Sequence, residues 1–296
     1  MLRTISAFVT ATLLTLLASG PAWADMAYSY DAAKSGPVTY GAPRTLAPGI
    51  ASRSFEFVSA SGKKVIGEII AGSATTPQPG LLFVHWLGEP ATTNHREFEH
   101  DAQALAARGA TSVLIDTIWA AADWFKHMGA SVEADSLETI DQVVDMRTAI
   151  DLLIVQKNVD PARIAFVGHD FGAMLGALMA SVETRPQYWV YLAGNPVLSS
   201  WYTLGKKSAT HDQYVAAMAR FDVLAALRAS KPKGVLLQFS AHDEYVTPGE
   251  ALTFFNAAPL PRGAFFYDAD HGLATPQVFR DRQAWLTEQL FGEAKR

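Results

Sequence analysis

The sequence predicts an α/β fold in which a mostly parallel central sheet is flanked by helices and carries a small lid insertion. Two observations support this prediction. Short apolar runs alternate with segments of helical periodicity through most of the chain, which is the pattern that βαβ units produce. Three of these runs, 163–168, 235–239 and 264–267, end directly in a polar segment that contains aspartate or histidine. Strands that deliver side chains to one edge of a sheet have this form.

Composition limits the possible functions. The 296 residues are 49% hydrophobic and 18% charged, with a net charge of −5, so the chain is long enough to bury one large core. The absence of cysteine excludes disulfides, thiol chemistry and thiolate metal sites. No basic run is present, so nucleic acid is not an expected partner. We expect a small-molecule substrate and neither a metal nor a cofactor, and the oligomeric state stays open.

Residues 1–24 are expected to be a signal peptide. Arg3 gives a positive start, residues 7–17 form an apolar core, and Ala22-Trp23-Ala24 is a small-x-small cleavage site before Asp25. The apolar stretch is short for a membrane span, and the competing interpretation is an uncleaved anchor. We therefore expect an exported protein, periplasmic or secreted from a bacterium, with no membrane contact after cleavage.

An extended amino-terminal arm is predicted before the first strands of the main domain. Residues 25–50 are rich in Ala, Gly, Pro, Ser and Tyr without periodicity, which predicts an extended segment. The main domain is expected over 51–296. It opens with strands over 53–58 and 65–70, and the turn between them indicates a hairpin at the edge of the sheet. The continuous apolar run 81–85 predicts a strand that is buried on both faces.

The rest of the domain alternates helices with strands. The patterns predict helices over 98–108, from Ser136 onward and over 276–290, strands over 111–115 and 188–192, and a core-facing stripe of Leu137, Ile140, Val144, Ile150 and Ile154 on the second helix. Residues 195–233 form an insertion between two predicted strands. Because it is short and holds one predicted helix near 215–228, we expect a small lid and not a separate cap domain.

The turn after strand 163–168 carries the central motif. Its sequence over 168–172 is Gly-His-Asp-Phe-Gly, which has the frame of a G-x-S-x-G nucleophile elbow with Asp170 at the serine position. Such a turn holds the nucleophile in a strained backbone conformation and needs small neighbours, which Gly168 and Gly172 supply. The pentapeptide alone is weakly specific, so acid and histidine partners must follow.

These partners follow in order. Asp243 comes after strand 235–239, and His271 comes after strand 264–267. The order of nucleophile, acid and histidine is that of the α/β-hydrolase fold. The chain therefore resembles the α/β-hydrolase superfamily, and its compact insertion and strand endings are most similar to the dienelactone-hydrolase branch. Asp268 and Asp270 also precede His271, but Asp243 has the family position after its own strand.

The resemblance implies a role for each of these residues. Family members with aspartate in the elbow are epoxide hydrolases and haloalkane or haloacid dehalogenases. By this resemblance, Asp170 attacks substrate carbon to form an ester, and His271, oriented by Asp243, activates the water that cleaves it. An aspartate is already ionised at neutral pH, whereas a serine needs its proton removed.

The resemblance also implies an oxyanion hole made of backbone amides. Phe171, which follows the nucleophile, supplies one amide. The loop after strand 81–85 supplies another, for which Leu87 is the first candidate and Trp86 the second. In the family this loop begins with His-Gly, and here Trp86 stands in place of the glycine. His85 is expected to be a structural histidine with satisfied hydrogen bonds.

Aromatic residues are candidates for the substrate pocket. Trp119, Trp124 and Phe125 follow strand 111–115, and Tyr202 and Tyr214 lie in the insertion, so all five are expected at the active-site end of the sheet. Indole N–H groups of Trp86, Trp119 or Trp124 suit a halide leaving group, and the two phenols suit an epoxide oxygen. The alternative for each is ordinary core or lid packing.

Three functions stay open. The first is the covalent hydrolase, acting on an epoxide, a haloacid or a reactive ester or lactone. The second is a dienelactone-hydrolase-like esterase or lactonase in which Asp170 is a non-covalent base. The third is a non-catalytic binding protein on the same fold, against which the complete triad argues. A metal site of His169, Asp170, His242, Asp243 and His271 is disfavoured because a triad already accounts for their spacing.

Overall fold

A computed structural model describes residues 21–89, 93–204 and 210–292. Most of the predicted signal peptide, residues 1–20, therefore lies outside the described residues. The first described element is helix α1 (Pro21–Ala27), which crosses the predicted cleavage position. Within it, the carbonyl of Ala24 accepts the N–H of Tyr28 at 2.9 Å.

The described residues form ten strands and ten α-helices. The strands are β1 (Thr39–Tyr40), β2 (Arg44–Ala47), β3 (Ile50–Val58), β4 (Lys64–Gly72), β5 (Gln78–Val84), β6 (Thr111–Ile115), β7 (Val159–His169), β8 (Pro186–Leu192), β9 (Gly234–Ser240) and β10 (Arg262–Tyr267). After α1 the helices are α2 (Glu99–Ala106), α3 (Trp124–His127), α4 (Val132–Ile154), α5 (Phe171–Ala180), α6 (Leu198–Tyr202), α7 (His211–Met218), α8 (Val223–Ala229), α9 (Pro248–Ala257) and α10 (Pro276–Phe291). Short 3-10 turns occupy Ala32–Lys34, His95–Phe98 and Ile118–Ala120.

All ten strands belong to one sheet, in the order β1-β3-β4-β6-β5-β7-β8-β9-β10 with β2 paired to β3. Strands β5 to β10 run parallel, and the β3–β4 hairpin joins them antiparallel through β4 and β6. The predicted fold class is thus confirmed. Because the parallel strands end at one edge of the sheet, the segments that follow β5, β6, β7, β9 and β10 converge there.

Two predicted helices have different bounds in the structure, and side-chain caps explain both differences. The helix expected from Ser136 begins at Val132, because the Ser131 hydroxyl accepts the N–H of Ala134 and ends the preceding turn. Leu137, predicted on the core-facing stripe, is 55% exposed. The helix expected near 215–228 is two helices, α7 and α8, and the Asp222 carboxylate caps the second by accepting the N–H of Ala225 at 2.9 Å.

The arm before β3 is attached to the domain. Strands β1 and β2 both pair with β3. The Tyr30 hydroxyl donates to the Asp151 carboxylate at 2.9 Å, and Arg147 donates to the Tyr28 carbonyl at 2.6 Å. These contacts to α4 order a segment for which the sequence showed no periodicity.

A buried ion cluster joins α10, α2 and β9. The Arg282 guanidinium donates two hydrogen bonds to the Asp101 carboxylate, at 2.7 and 2.8 Å, and a third to the Gln238 side chain at 3.0 Å. Gln238 in turn donates to the Tyr267 hydroxyl and the Val278 carbonyl. We call Arg282, Asp101 and Gln238 the helix pin, because they fix two helices to the sheet.

Within the described ranges, no helix combines the length and the apolar character needed to cross a bilayer.

Candidate active site

Asp170 occupies a strained turn between β7 and α5. Its backbone angles are φ 57° and ψ −115°, a region that non-glycine residues rarely adopt. Both flanking glycines are required by contact. A Cβ on Gly168 would lie 2.4 Å from the Gly172 carbonyl oxygen, and a Cβ on Gly172 would lie 2.4 Å from the Val84 carbonyl oxygen. The motif therefore folds as the elbow that its glycines predict.

The structure brings Asp170, His271 and Asp243 together. His271 Nδ1 lies 2.9 Å from both carboxylate oxygens of Asp243, and its Nε2 lies 3.9 Å from Asp170 Oδ2. Asp243 is held in turn by the N–H groups of Tyr245 and Val246, each at 2.8 Å. This geometry fixes the imidazole with Nε2 towards the elbow.

The other acids near His271 do not bind it. Asp268 pairs with His242 at 2.8 Å on an exposed part of the surface, and the Asp270 side chain makes no hydrogen bond within the described residues. His242 is thereby removed from any metal set with the elbow. In the described ranges, no group of three or more His, Asp or Glu side chains is arranged to hold a metal ion.

The two buried acids of the triad differ in pKa. Burial raises the pKa of Asp170, despite its contacts with His271 and with a backbone N–H. Burial alone would also raise the pKa of Asp243, but the hydrogen bond and charge of His271 hold it below the usual range. Burial alone would lower the pKa of His271, but the Asp170 and Asp243 carboxylates raise it to about 9.

One of the predicted oxyanion-hole amides binds the Asp170 carboxylate. The Leu87 N–H donates to Asp170 Oδ2 at 3.0 Å. The Phe171 N–H is the first of α5 and has no partner among the described residues, as expected for the first turn of a helix. Trp86, predicted as the alternative amide, does not serve, because its N–H donates to Glu97 Oε2 at 2.9 Å.

Two polar atoms at the site lack partners. Asp170 Oδ1 and His271 Nε2 are buried and make no hydrogen bond to any described residue. Buried polar atoms are normally paired, so two unpaired atoms at one place call for an explanation. One is an anionic oxygen and the other an imidazole nitrogen, which are the groups that nucleophilic attack and water activation need.

His85 is structural, as the sequence predicts. Its Nδ1 donates to the Trp86 carbonyl at 2.8 Å, and its Nε2 accepts from the N–H and hydroxyl of Thr117. Both nitrogens are thus satisfied in the neutral ring. Burial lowers its pKa, which keeps it neutral.

A cavity of about 470 Å³ opens above the triad. His271 and Leu87 form part of its wall, and Asp170 is fully buried directly behind them. Five of the lining residues are aromatic: Trp86, Trp119, Phe125, Trp201 and Tyr245. Trp119 and Phe125 are predicted pocket residues that line the cavity, whereas Trp201 and Tyr245 carry no motif in the sequence.

Three predicted pocket residues are corrected. Trp124, Tyr202 and Tyr214 do not line this cavity, because each side chain is held by α4. The Trp124 indole donates to Glu138 at 3.0 Å, the Tyr202 hydroxyl pairs with Thr139 at 3.0 Å, and the Tyr214 hydroxyl donates to Asp135 at 2.8 Å. Tyr202 and Tyr214 are therefore not donors to an epoxide oxygen.

Of the predicted leaving-group donors, only the Trp86 indole is left without a partner among the described residues. The Trp119 indole is occupied, since it donates to the His85 carbonyl at 3.1 Å. The indole N–H groups of Trp86 and Trp201 and the hydroxyl of Tyr245 make no hydrogen bond to a described residue. All three residues line the cavity, so these groups are the candidate donors at its wall.

A residue that the sequence gave no reason to select, Glu97, lies beneath the site. Its Oε1 lies 2.7 Å from Nδ1 of His169, while Oε2 accepts the Trp86 N–H. His169 Nε2 lies 3.1 Å from the His271 carbonyl oxygen. The Trp86 ring stacks on His169 and also contacts His271, with centroid separations of 5.3 and 5.4 Å.

No protein-family model and no curated protein matches the sequence. Solved structures do match. An acetyl xylan esterase from Paenibacillus sp. R4 is 16% identical over 94% of this chain and 96% of that chain, with a TM-score of 0.76. Acetyl xylan esterase 1 from Thermoanaerobacterium sp. JW/SL YS485 is 13% identical over 90% and 91%, with a TM-score of 0.71. A cold-adapted esterase from an Arctic intertidal metagenomic library is 15% identical over 85% and 99%, with a TM-score of 0.62. At these identities the likeness establishes the α/β-hydrolase fold alone.

Proposed function

We propose that this protein is a hydrolase in which Asp170 attacks substrate carbon. In the first step an Asp170 oxygen forms a C–O bond while the bond from that carbon to the leaving group breaks, and the leaving group departs with the electron pair. Asp170 becomes a neutral ester when the attacked carbon is sp3, and a neutral anhydride when it is the acyl carbon of an ester or lactone. The substrate is an epoxide, a haloacid or a reactive ester or lactone, since a carboxylate is nucleophilic enough only towards a strained or activated carbon.

In the second step water cleaves the ester. His271 Nε2 takes a proton from water, and the hydroxide adds to Cγ of Asp170. Negative charge then develops on the carboxyl oxygen that does not carry the substrate, and the Leu87 N–H stabilises it. The C–O bond to Cγ breaks, the product alkoxide takes the proton from His271, and Asp170 is released as a carboxylic acid. Loss of its proton to water regenerates the Asp170 carboxylate.

One observation carries this mechanism. Asp170 sits at the elbow with one carboxylate oxygen held by the Leu87 amide and the other unpaired. The held oxygen is in the oxyanion position of the second step, and the unpaired oxygen is available for attack. His271 Nε2, 3.9 Å from Oδ2, stands where it can serve a water at Cγ.

The cavity limits the substrate. Its aromatic wall suits a small molecule with apolar surface, and Trp86, Trp201 and Tyr245 can donate to a halide or to an oxygen that leaves. Since Asp170 lies behind Leu87 and His271, the reacting carbon must enter between these two residues. The short insertion keeps the chain, within the proposed superfamily, nearest the dienelactone-hydrolase branch.

A trapping experiment tests the covalent step. His271→Ala is incubated with epoxides, haloacids and activated esters, and the intact mass is recorded. An adduct that maps to Asp170 is expected, because attack survives without the base while ester cleavage stalls. The class of compound that forms the adduct identifies the substrate class. Asp170→Asn/His271→Ala is the matched control and must remain unmodified.

Isotopic water gives an independent test. In a single turnover in H2-18O, the covalent route places unlabelled oxygen from Asp170 in the product and labelled oxygen in the Asp170 carboxylate. Direct attack by water places the label in the product at the first turnover. Peptide mass over residues 164–180 and product mass separate these results.

A second candidate is an esterase or lactonase in which Asp170 does not become covalent. The esterases among the structural neighbours favour it. In this route Asp170 or His271 takes the proton from a water that attacks the substrate directly. Label in the product at the first turnover, with no adduct on His271→Ala, would select this candidate over the covalent one.

We also propose that the protein acts after export and cleavage behind Ala24. Amino-terminal sequencing of protein expressed with its own leader is expected to begin at Asp25. Retention of Met1 would contradict export by a cleaved signal peptide.

A further inference from the structure

Resting on the proposed function, we propose that Glu97 and His169 form a second carboxylate–imidazole pair that positions the reacting groups. The pair touches neither the cavity nor the reacting atoms. It joins the three segments that carry them: the loop with Leu87, the elbow with Asp170, and the loop with His271. Both residues are therefore positioning residues, each acting through the triad and its amide.

Hydrogen bonding sets the protonation of the pair. His169 Nε2 faces the His271 carbonyl at 3.1 Å, and a carbonyl oxygen only accepts, so Nε2 carries a proton. Nδ1 faces the Glu97 carboxylate at 2.7 Å, which also only accepts. With both ring nitrogens facing acceptor oxygens, we assign an N–H to each, so that the bond to Glu97 is a charge-assisted one.

The pair spans separate parts of the chain. Glu97 lies in the 3-10 turn His95–Phe98 and holds the Trp86 N–H, one residue before the Leu87 amide. His169 precedes Asp170 and is completely buried. Its bond to the His271 carbonyl fixes the backbone of the catalytic base. Loss of the pair would thus move the amide, the nucleophile and the base relative to one another.

The charge of His169 has a second effect. The imidazolium is adjacent in sequence to a buried carboxylate that has one unpaired oxygen, and it favours the ionised, nucleophilic form of Asp170. The Trp86 ring stacks on the imidazolium with an interplanar angle of 21°, which adds a cation–π contact. The same ring contacts His271, so it packs the two histidines against each other.

A similar pair provides the matched control. His95 lies in the same 3-10 turn as Glu97, and its Nδ1 lies 2.7 Å from Asp116 Oδ1. This distance equals that of the Glu97–His169 pair. Among the described residues, His95 makes no hydrogen bond or ring contact with Asp170 or His271, so His95→Gln removes a similar pair without disturbing the triad.

The kinetic test compares Glu97→Gln, His169→Gln and His95→Gln on the substrate class found by trapping. For the first two we expect kcat to fall by about 100-fold, since displacement of reacting groups by about 1 Å costs this much. KM is expected to change much less than kcat, because neither substitution removes a side chain that lines the cavity. His95→Gln is expected to retain wild-type kcat. Equal kcat in Glu97→Gln and His95→Gln overturns the proposal.

A spectroscopic test does not depend on activity. With 15N-labelled histidine, wild-type His169 is expected to show protons on both ring nitrogens at neutral pH. In Glu97→Gln we expect loss of the Nδ1 proton of His169 and a shifted, broadened His271 Nδ1–H signal. A neutral His169 in wild type, or an unchanged His271 signal in Glu97→Gln, overturns the proposal.

The two proposals fail in different ways. If His271→Ala never forms an adduct but Glu97→Gln loses kcat and His95→Gln does not, covalent catalysis is wrong and positioning by the pair stands. If the adduct forms and Glu97→Gln behaves as wild type in both tests, only the positioning role is wrong.

Discussion

Two buried groups of charged residues in this protein differ in how completely their polar atoms are hydrogen-bonded. In the helix pin, the Arg282 guanidinium and the Asp101 carboxylate form a two-pronged pair, and Gln238 uses both ends of its amide. At the elbow, Asp170 Oδ1 and His271 Nε2 lack partners among the described residues. A satisfied network rigidifies the fold, whereas unpaired atoms in a strained turn are costly and remain only where they serve a reaction.

The difference separates stability from chemistry. Both groups hold an acid and a cation within the protein, and both join distant elements. The pin connects α2, α10 and β9, and the triad connects the ends of β7, β9 and β10. If the contrast is correct, changes at the pin alter unfolding and leave turnover per folded molecule intact, while changes at the elbow do the reverse.

Asp170→Asn gives the largest expected effect. Asparagine keeps the shape and tolerates positive φ, but it removes the anionic oxygen, so turnover is expected to fall by about 10⁴-fold, as for loss of a triad member. Because burial opposes the charge of Asp170, the melting temperature should be equal to or above that of wild type. A large loss of stability in calorimetry, or retained turnover, would contradict the claim that the elbow serves chemistry and not stability.

Arg282→Met tests the pin. It leaves the Asp101 carboxylate buried without its cation, so the free energy of unfolding is expected to fall by about 3–5 kcal/mol in urea titrations. The kcat of the folded fraction should be unchanged. Arg282→Met/Asp101→Leu removes both charges and should regain part of the lost stability, and failure to do so would show that the pin is not an isolated charge pair.

The free energy of unfolding is expected to depend on pH through the titration of His271. Its folded pKa of about 9 lies above the unfolded value, so its contribution to stability is full below about pH 6.5 and is lost as pH rises through 9. The free energy of unfolding is therefore expected to fall by on the order of 1–3 kcal/mol across this window. In Asp170→Asn the fall should be smaller, because one of the two carboxylates that raise the pKa is gone.

The same group gives a kinetic signature. His271 activates water only as a neutral base, so ester cleavage is expected to rise with pH. In the covalent intermediate Asp170 carries no charge, and the apparent pKa for cleavage should lie below the value of about 9 for the free enzyme. A single-turnover inflection near 9 would instead favour the non-covalent route.

Tyr245→Phe has the smallest expected effect. Its hydroxyl lines the cavity without a bond to any described residue, and loss of one leaving-group donor is expected to lower kcat by about 10-fold. Stability should be unaltered in the same urea titration. Tyr202→Phe is the control, since that hydroxyl is bound to Thr139 away from the cavity, and an equal loss of kcat in both variants would refute the assignment.

Sequence reasoning located the triad because its signals are local. Gly168 and Gly172 flank Asp170 in the chain, and Asp243 and His271 each follow an apolar run. Strand ends meet at one sheet edge, so local order along the chain was enough to place the three side chains together. The same reasoning predicted the hairpin of β3 and β4 and the strand β6 with its observed ends.

The pocket could not be predicted in the same way. Trp124, Tyr202 and Tyr214 do not line the cavity because their polar atoms bind residues of α4. Among the described residues, Trp119 and Trp201 have no such contact with α4, and they line the cavity. The α4 partners of the first three lie up to 79 residues away. Glu97 was missed for the same reason, because its contact with His169 crosses 72 residues. Contacts between side chains that lie far apart along the chain produce no periodic pattern in a single sequence.

The contact of the Leu87 amide with Asp170 bears on how the chemistry of this site could change during evolution. In this chain it is occupied by the Asp170 carboxylate; a serine at position 170 is too short to fill that place. Asp170→Ser would therefore free the Leu87 amide, which could join the Phe171 amide in binding an acyl oxyanion, beside a histidine and an acid already in position. Two branches of chemistry, attack by a carboxylate and attack by an alkoxide, are thus separated by one codon in an otherwise unchanged scaffold. An ancestor could have crossed between them without rebuilding the fold.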